Sequence, residues 1–294
     1  IYAAWQSVAS GASEMTLLVG GEKMTHRTTS EATDVIASLT HPVEYKQGVT
    51  LPSFAGLTAR LYMHTFDAPS ESLAKVAVKN HANGVQNPHA PFQKEIDIET
   101  AMDAPMVADP LRRYDFCPIT DGSAALMLCP VDVAKEYTDN YAVISGIGGA
   151  TDTHVVHERA DPTTMTGVVE SGETAYEMAD LNPADVDIAE LHDMFTILEF
   201  LQMEGLGFAP EGEAWREIER GTTEIDGEFP VNTSGGLKSK GHPLGASGVA
   251  QGYEIYKQLV GDAGDRQVDA DVGLACNVGG FGNCVTTTVM EAAK

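Results

Sequence analysis

The chain has 294 residues, 43% of them apolar, enough to bury a substantial core as one large or two medium domains. Its 43 acidic against 18 basic residues leave a formal net charge of -25, which argues against nucleic acid and anionic membrane surfaces as partners. The four cysteines show neither C-x-x-C pairing nor zinc spacing, and no apolar run approaches a membrane span. No metal, no disulfide framework and no membrane segment are therefore expected, and the setting is read as a cytoplasm with reduced thiols. Carboxylates spread along the whole chain, rather than in a tail, point to a protein kept soluble in high salt, from a halophilic source.

In chain order, Ile1, Ala4, Trp5 and Val8 follow helical i, i+3, i+4, i+7 spacing with no capping residue ahead of them. The helix thus opens in mid-pattern, and the expectation is a chain whose beginning lies upstream of Ile1. A turn and a strand follow within residues 1–25, with Gly20-Gly21. Residues 26 to about 112 read as a long irregular stretch with prolines, histidines and helical patches, of the kind that forms an inserted lid or binding segment. A strand is expected over 124–128, then a helix, and an opening strand of a second half over 141–147. A helix over 175–179, a turn at Asn182-Pro183, a strand over 186–189 and a helix over 195–204 continue the alternation. Helix, Gly-containing turn, strand and Gly-Gly recur at 1–21 and 248–280. The pattern predicts an α/β protein of two similar halves, 1–140 and 141–294, with mixed sheets packed between helices.

Three segments carry chemistry. Gly241-His242-Pro243 sits in the Gly-studded stretch 235–248, which turns tightly and places the histidine at the mouth of a helix carrying Val249, Tyr253, Tyr256 and Leu259. An imidazole so held is oriented as a general base must be. Cys276 ends an apolar strand before Asn277-Val278-Gly279-Gly280, beside exposed backbone N–H groups, a position suited to proton transfer next to an oxyanion hole. His192-Asp193-Met194-Phe195 follows the strand at 186–189. Taken singly, each has a plainer reading: an incidental loop histidine, a cysteine buried as a small hydrophobe, a structural histidine. The three together, as H-D-x-F, G-H-P-x-G and C-N-x-G-G-x-G, outweigh those readings.

On these motifs, with residues 17–24, 79–88 and 115–125, the chain resembles the thiolase superfamily. Within it, the match is to the archaeal and sterol-carrier-type thiolases that carry His-Asp where others carry Asn-Glu. The resemblance covers essentially the whole chain. It implies the five-layer αβαβα thiolase fold, with 26–112 as a loop domain over coenzyme A. It implies an acyltransferase that condenses two acyl-CoA molecules, or cleaves a 3-ketoacyl-CoA by thiolysis, through a cysteine thioester. The attacking cysteine of that family stands near the start of a helix in the first half, so it is expected upstream of Ile1, and the chain alone is expected to be inactive. Cys117 and Cys129 flank the strand at 124–128 and fit that role badly.

By the same resemblance His242 activates the thiol, and Cys276 carries the α-proton, where many relatives hold a histidine; a free thiol titrates near 8.5. His192 donates to a developing oxyanion, the backbone of Gly279 or Gly280 serves a second, and Asn277, Gly279, Gly280 and Ser247 contact substrate. Lys75, Lys79, Arg112 and Arg113 are candidates for the phosphates of coenzyme A. Acyl-CoA thioesters are the substrates, with no bound cofactor. A homodimer or homotetramer is implied, and archaeal relatives associate with hydroxymethylglutaryl-CoA synthase through an OB-fold protein. Two rivals stand beside this reading. Ketoacyl synthases usually carry Gly-His-Thr, against His242-Pro243 here; the other is a non-catalytic thiolase-like CoA-binding or scaffold subunit.

Overall fold

A computed structural model describes residues 1–293. Helix α1 (Tyr2–Ala9) leads into β1 (Thr16–Glu22). The next ninety or so residues form α2 (Thr29–Ala37), α3 (Pro42–Tyr45), α4 (Leu51–Phe66), α5 (Ser70–Val85) and α6 (Ile98–Met102), then a small hairpin of β2 (Met106–Ala108) and β3 (Leu111–Arg112). After them come β4 (Gly122–Leu128), α7 (Val131–Tyr137), β5 (Ala142–Thr151), α8 (Thr166–Ala179), β6 (Ile188–Glu190) and α9 (Thr196–Gly205). The chain continues through α10 (Ala214–Arg220), α11 (Gly236–Lys240) and α12 (Leu244–Leu259) to the strands β7 (Val272–Gly279) and β8 (Cys284–Ala292).

Among the described residues β1 pairs antiparallel with β4, while the second sheet runs in the order β5-β8-β7-β6, with β6 and β7 parallel and the other pairs antiparallel. This is the mixed-sheet arrangement expected. Helix α12 lies between the two sheets, packed on β1, β4 and β7, and α8 covers β5 and β8 on the far side. A Cβ at Gly20 would strike the carbonyl oxygen of Gly245, so β1 and the first turn of α12 approach as bare backbone. The main apolar core surrounds α9, α4 and the middle of β7; a smaller cluster of Ile188, Ile255, Leu259, Ala275 and Met290 fills the seam between α12 and the second sheet.

The segment 26–112 is more regular than its composition suggests, because four of its five helices, all but α5, are capped by side chains. Thr28 and Glu31 exchange side-chain and backbone hydrogen bonds at the start of α2, and Thr50 and Ser53 do so at the start of α4. Helix α5 turns polar residues inward. Asn80 Nδ2 donates to Asp193 Oδ2 (2.8 Å) and Glu199 Oε2 (3.0 Å), Asn83 to the carbonyl of Asn232 (3.1 Å), and Asn87 to that of Ser234 (2.8 Å). Asp193 in turn accepts from the backbone of Leu237 (2.6 Å) and Lys238 (3.3 Å), which ties the first turn of α11 to the residue beside His192. An added Cβ at Gly84 would collide with Ser239, so α5 and α11 are in direct contact. Two candidate phosphate ligands are used up in this framework. Lys79 is buried against Glu199 (2.7 Å) and the carbonyl of Val231 (2.9 Å), and Lys75 pairs with Glu219 (2.5 Å).

Candidate active site

Three backbone features converge on one cavity of about 840 Å³. The end of β6 delivers His192, the bend at Gly241 and Pro243 between α11 and α12 delivers His242, and β7 delivers Asn277; all three line the cavity with Gly279 and Gly280. The bend needs glycine, because Gly241 has φ +97°, a conformation that a side chain disfavours. The two imidazoles meet edge to face, with ring centroids 4.8 Å apart.

Hydrogen bonding settles the tautomer of each ring. Gln251 Nε2 donates to the carbonyls of Cys276 (2.9 Å) and Glu190 (3.2 Å), so its Oε1 is an acceptor. Asn277 Nδ2 donates to that oxygen (2.8 Å) and points its other hydrogen at His192 Nδ1 (3.1 Å). Nδ1 of His192 is therefore the bare nitrogen, and Nε2 carries the hydrogen. That N–H is buried and has no partner among the described residues. At His242 the polarity is reversed. Ser247 Oγ donates to the carbonyl of Pro243 (3.1 Å), and its oxygen accepts from His242 Nδ1 (2.7 Å). The hydrogen sits on Nδ1, and Nε2 offers a lone pair.

Burial keeps both rings neutral. It pulls His242 down to about 4, and it pulls His192 well below the usual histidine range, with His242 alongside adding to the effect. The pocket thus contains an unsatisfied N–H donor next to a free basic nitrogen, 2% and 7% exposed respectively as residues. Such a pair can stabilise a developing oxyanion and accept a proton within the same few ångströms.

The remaining expected site residues fall into three groups. Gly279 and Gly280 line the cavity. Asn277 and Ser247 act behind the histidines, orienting His192 and His242; Ser247 is not among the residues of this cavity wall. Cys276, expected as the proton carrier, is not among the residues of the cavity wall. Strand alternation turns it away from Asn277, its Sγ accepts from Thr287 Oγ1 (3.6 Å), and it is 0% exposed in the core. Burial pushes its thiol up to about 12, so it has neither the position nor the acidity of a proton carrier. Cys276→Ala is expected to leave kcat within about twofold and to cost about 1 kcal/mol of stability, read from steady-state rates and a urea titration.

Of the cations considered, Arg113 does line the cavity, whereas Arg112 donates to the carbonyl of Ala104 (2.9 Å). Lys94, His81, Lys238 and Cys117 also face the cavity and were not anticipated as site residues. Burial pushes the Cys117 thiol up to about 12, which keeps it protonated and unreactive.

Comparison with known proteins shows the family to which the chain belongs. The family model described as Thiolase, N-terminal domain matches residues 1–132, and that described as Thiolase C-terminal domain-like matches 148–292. The acetyl-CoA acetyltransferase of Methanothermobacter thermautotrophicus is 45% identical over 287 residues, covering 97% of this chain and 74% of the relative. Sterol carrier protein 2 of Homo sapiens is 34% identical over 312 residues, covering 99% of this chain and 56% of the relative. Among solved structures, the Ltp2-ChsH2(DUF35) aldolase superposes with a TM-score of 0.85 at 26% identity, covering 98% of this chain and 75% of that one. The Bacillus anthracis acetyl-CoA acetyltransferase, at 17% identity and a TM-score of 0.72 over 99% of this chain and 75% of its own, shares the fold.

Proposed function

The chain belongs to the thiolase family, and from that premise we propose that its paired imidazoles transfer acyl groups between coenzyme A thioesters. The supporting observation is the opposed tautomers of His192 and His242. In the condensing direction His242 Nε2 takes a proton from the α-carbon of an acetyl thioester, and the enolate oxygen is held by His192 Nε2–H. The α-carbon then forms a bond to a second acyl carbonyl, the bond to the departing sulfur breaks, and that sulfur is protonated as a thiol. Thiolysis runs the same steps backwards, with His242 Nε2 taking the thiol proton. An imidazole of low basicity can do this because the thiolate formed beside it stabilises the imidazolium.

The attacking thiol that carries the acyl group is not one of the chain's four cysteines. Cys276 faces away, Cys117 stays protonated, and Cys129 and Cys284 are not among the residues of the cavity wall. Exposed Arg113 and Lys94 at the cavity are suited to the phosphates of coenzyme A. The name of the Ltp2-ChsH2(DUF35) neighbour joins two components, which supports a partner protein beside the thiolase core here as well. A net charge of -25 suits a host of high salt, where the Debye length falls to about 3 Å at 1 M.

The test is product formation by the protein as its gene encodes it, supplied with acetyl-CoA, or with acetoacetyl-CoA and CoA, and followed by mass spectrometry. Acetoacetyl-CoA formation or cleavage is expected, while the 294-residue chain by itself binds acyl-CoA without releasing CoA. Tight acyl-CoA binding by the encoded protein with no product in either direction would favour a binding or scaffold role.

A further inference from the structure

The cavity has a second polar region that the acyl-transfer chemistry does not use. His81 on α5 is 4% exposed, and its Nδ1 lies 3.0 Å from the carbonyl oxygen of Lys94. A carbonyl only accepts, so Nδ1 carries the ring hydrogen and Nε2 presents a lone pair. Burial, with the charge of Lys238 nearby, pulls this imidazole down to about 4, which holds it neutral. Its Nε2 is buried without a partner among the described residues, although His81 lines the same cavity as His192 and His242. Phe92 stacks on the ring (centroids 5.9 Å apart) and Tyr114 meets it edge-on (5.7 Å), so its direction is set by packing.

Lys238 stands against the same tyrosine, with Nζ 5.6 Å from the Tyr114 ring centroid. It is 3% exposed and also lines the cavity. One ammonium hydrogen goes to the carbonyl of Phe116 (2.6 Å); no other hydrogen bond from Nζ is formed among the described residues. A buried ammonium with one acceptor and a buried imidazole nitrogen with no donor are both costly when left so. Together on one wall they match a ligand group that donates one hydrogen and accepts another.

We propose that His81 and Lys238 form a polar subsite for a hydroxyl or amide group of the substrate, which donates to His81 Nε2 and accepts from Lys238 Nζ. The subsite thereby helps to seat the thioester in the cavity. This rests on the cavity being an acyl-CoA site. Near the thioester two parts of an acyl-CoA carry such groups: the pantetheine arm, through its amides and its hydroxyl, and a hydroxyl on the acyl chain.

The experiment is calorimetric binding of CoA, butyryl-CoA and 3-hydroxybutyryl-CoA to the full protein and to three variants. Binding is read without turnover, so absence of acyl transfer would count against the proposed function and leave this result standing. His81→Asn keeps a donor for the Lys94 carbonyl and removes the acceptor; His81→Gln places an acceptor near the Nε2 position; Lys238→Met keeps the packing and removes the donors. His81→Asn and Lys238→Met are expected to weaken binding about 10-fold, as for loss of a buried hydrogen bond, with His81→Gln recovering most of it. Weakening of all three ligands assigns the group to the pantetheine arm they share; weakening of 3-hydroxybutyryl-CoA alone assigns it to the acyl hydroxyl. Unchanged binding of every ligand, or equal losses for His81→Asn and His81→Gln, would overturn the subsite. Should His81→Asn fail to fold, Lys238→Met with the same three ligands decides it.

Discussion

Replacing His242 with alanine is expected to lower kcat by about 100- to 10,000-fold, the range for a lost general base, while CoA binding stays within a few-fold. The expectation follows from where the ring's hydrogen sits. Ser247 accepts it at Nδ1, so Nε2 is the atom that can take a proton, and the bare nitrogen of the neighbouring His192 ring is engaged by Asn277. Because burial lowers His242 to about 4, the free enzyme keeps its base through the neutral range. In a kcat/KM profile the acid limb should therefore appear near pH 4 to 5, well below the ordinary histidine value. The stability consequence has a definite sign: a histidine whose folded value is depressed contributes stability that is lost as pH falls from about 6.5 towards about 4. A loss under tenfold in the alanine variant would remove His242 from the proton transfer.

His192→Ala is expected to reduce kcat by about 100- to 1000-fold, as for removal of one oxyanion donor, with little change in the pH limb assigned to His242. Its donor atom exists only because Asn277 occupies Nδ1. Asn277→Ala should therefore also slow the reaction, by less, since the ring remains in place but loses the contact that selects its tautomer. Steady-state kinetics of both variants check this. If Asn277→Ala were as fast as the parent while His192→Ala was slow, the ring would matter but its tautomer would not be set by Asn277.

How much of this was legible in the sequence depended on how local the constraint was. The G-H-P bend reads directly, because Gly241 must take positive φ and Pro243 starts α12. His192 reads as the residue after a short buried strand. The sequence does not say which of Cys276 and Asn277 faces the histidines, because adjacent strand residues point to opposite faces; the contact of Asn277 with Gln251 on α12 and with His192 shows that it is Asn277. Ser247 lies one helical turn after Pro243, so its back-bond and its contact with His242 could have been found from spacing.

Other elements were hidden for different reasons. Helix α8 runs from Thr166 to Ala179, but Gly167, Gly172 and the adjacent Val168 and Val169 weaken its propensity. It is stabilised by packing on β5 and β8. On α5 polar residues are buried beside the apolar ones: Lys79, Asn80, His81 and Asn83 lie inside with Leu73, Val76 and Ala77, so a search for an apolar face alone overlooks the residues that matter. The partners of Lys79, Asn80 and Asn83 lie more than a hundred residues away, and no local pattern announces them.

The most direct measurement is neutron diffraction from crystals exchanged into deuterated buffer at neutral pH. Deuterium density on His192 Nε2 and on His242 Nδ1, with His242 Nε2 bare, is the predicted result. Deuterium on His192 Nδ1, or on His242 Nε2, would contradict the pairing of donor and base on which the proposed chemistry depends.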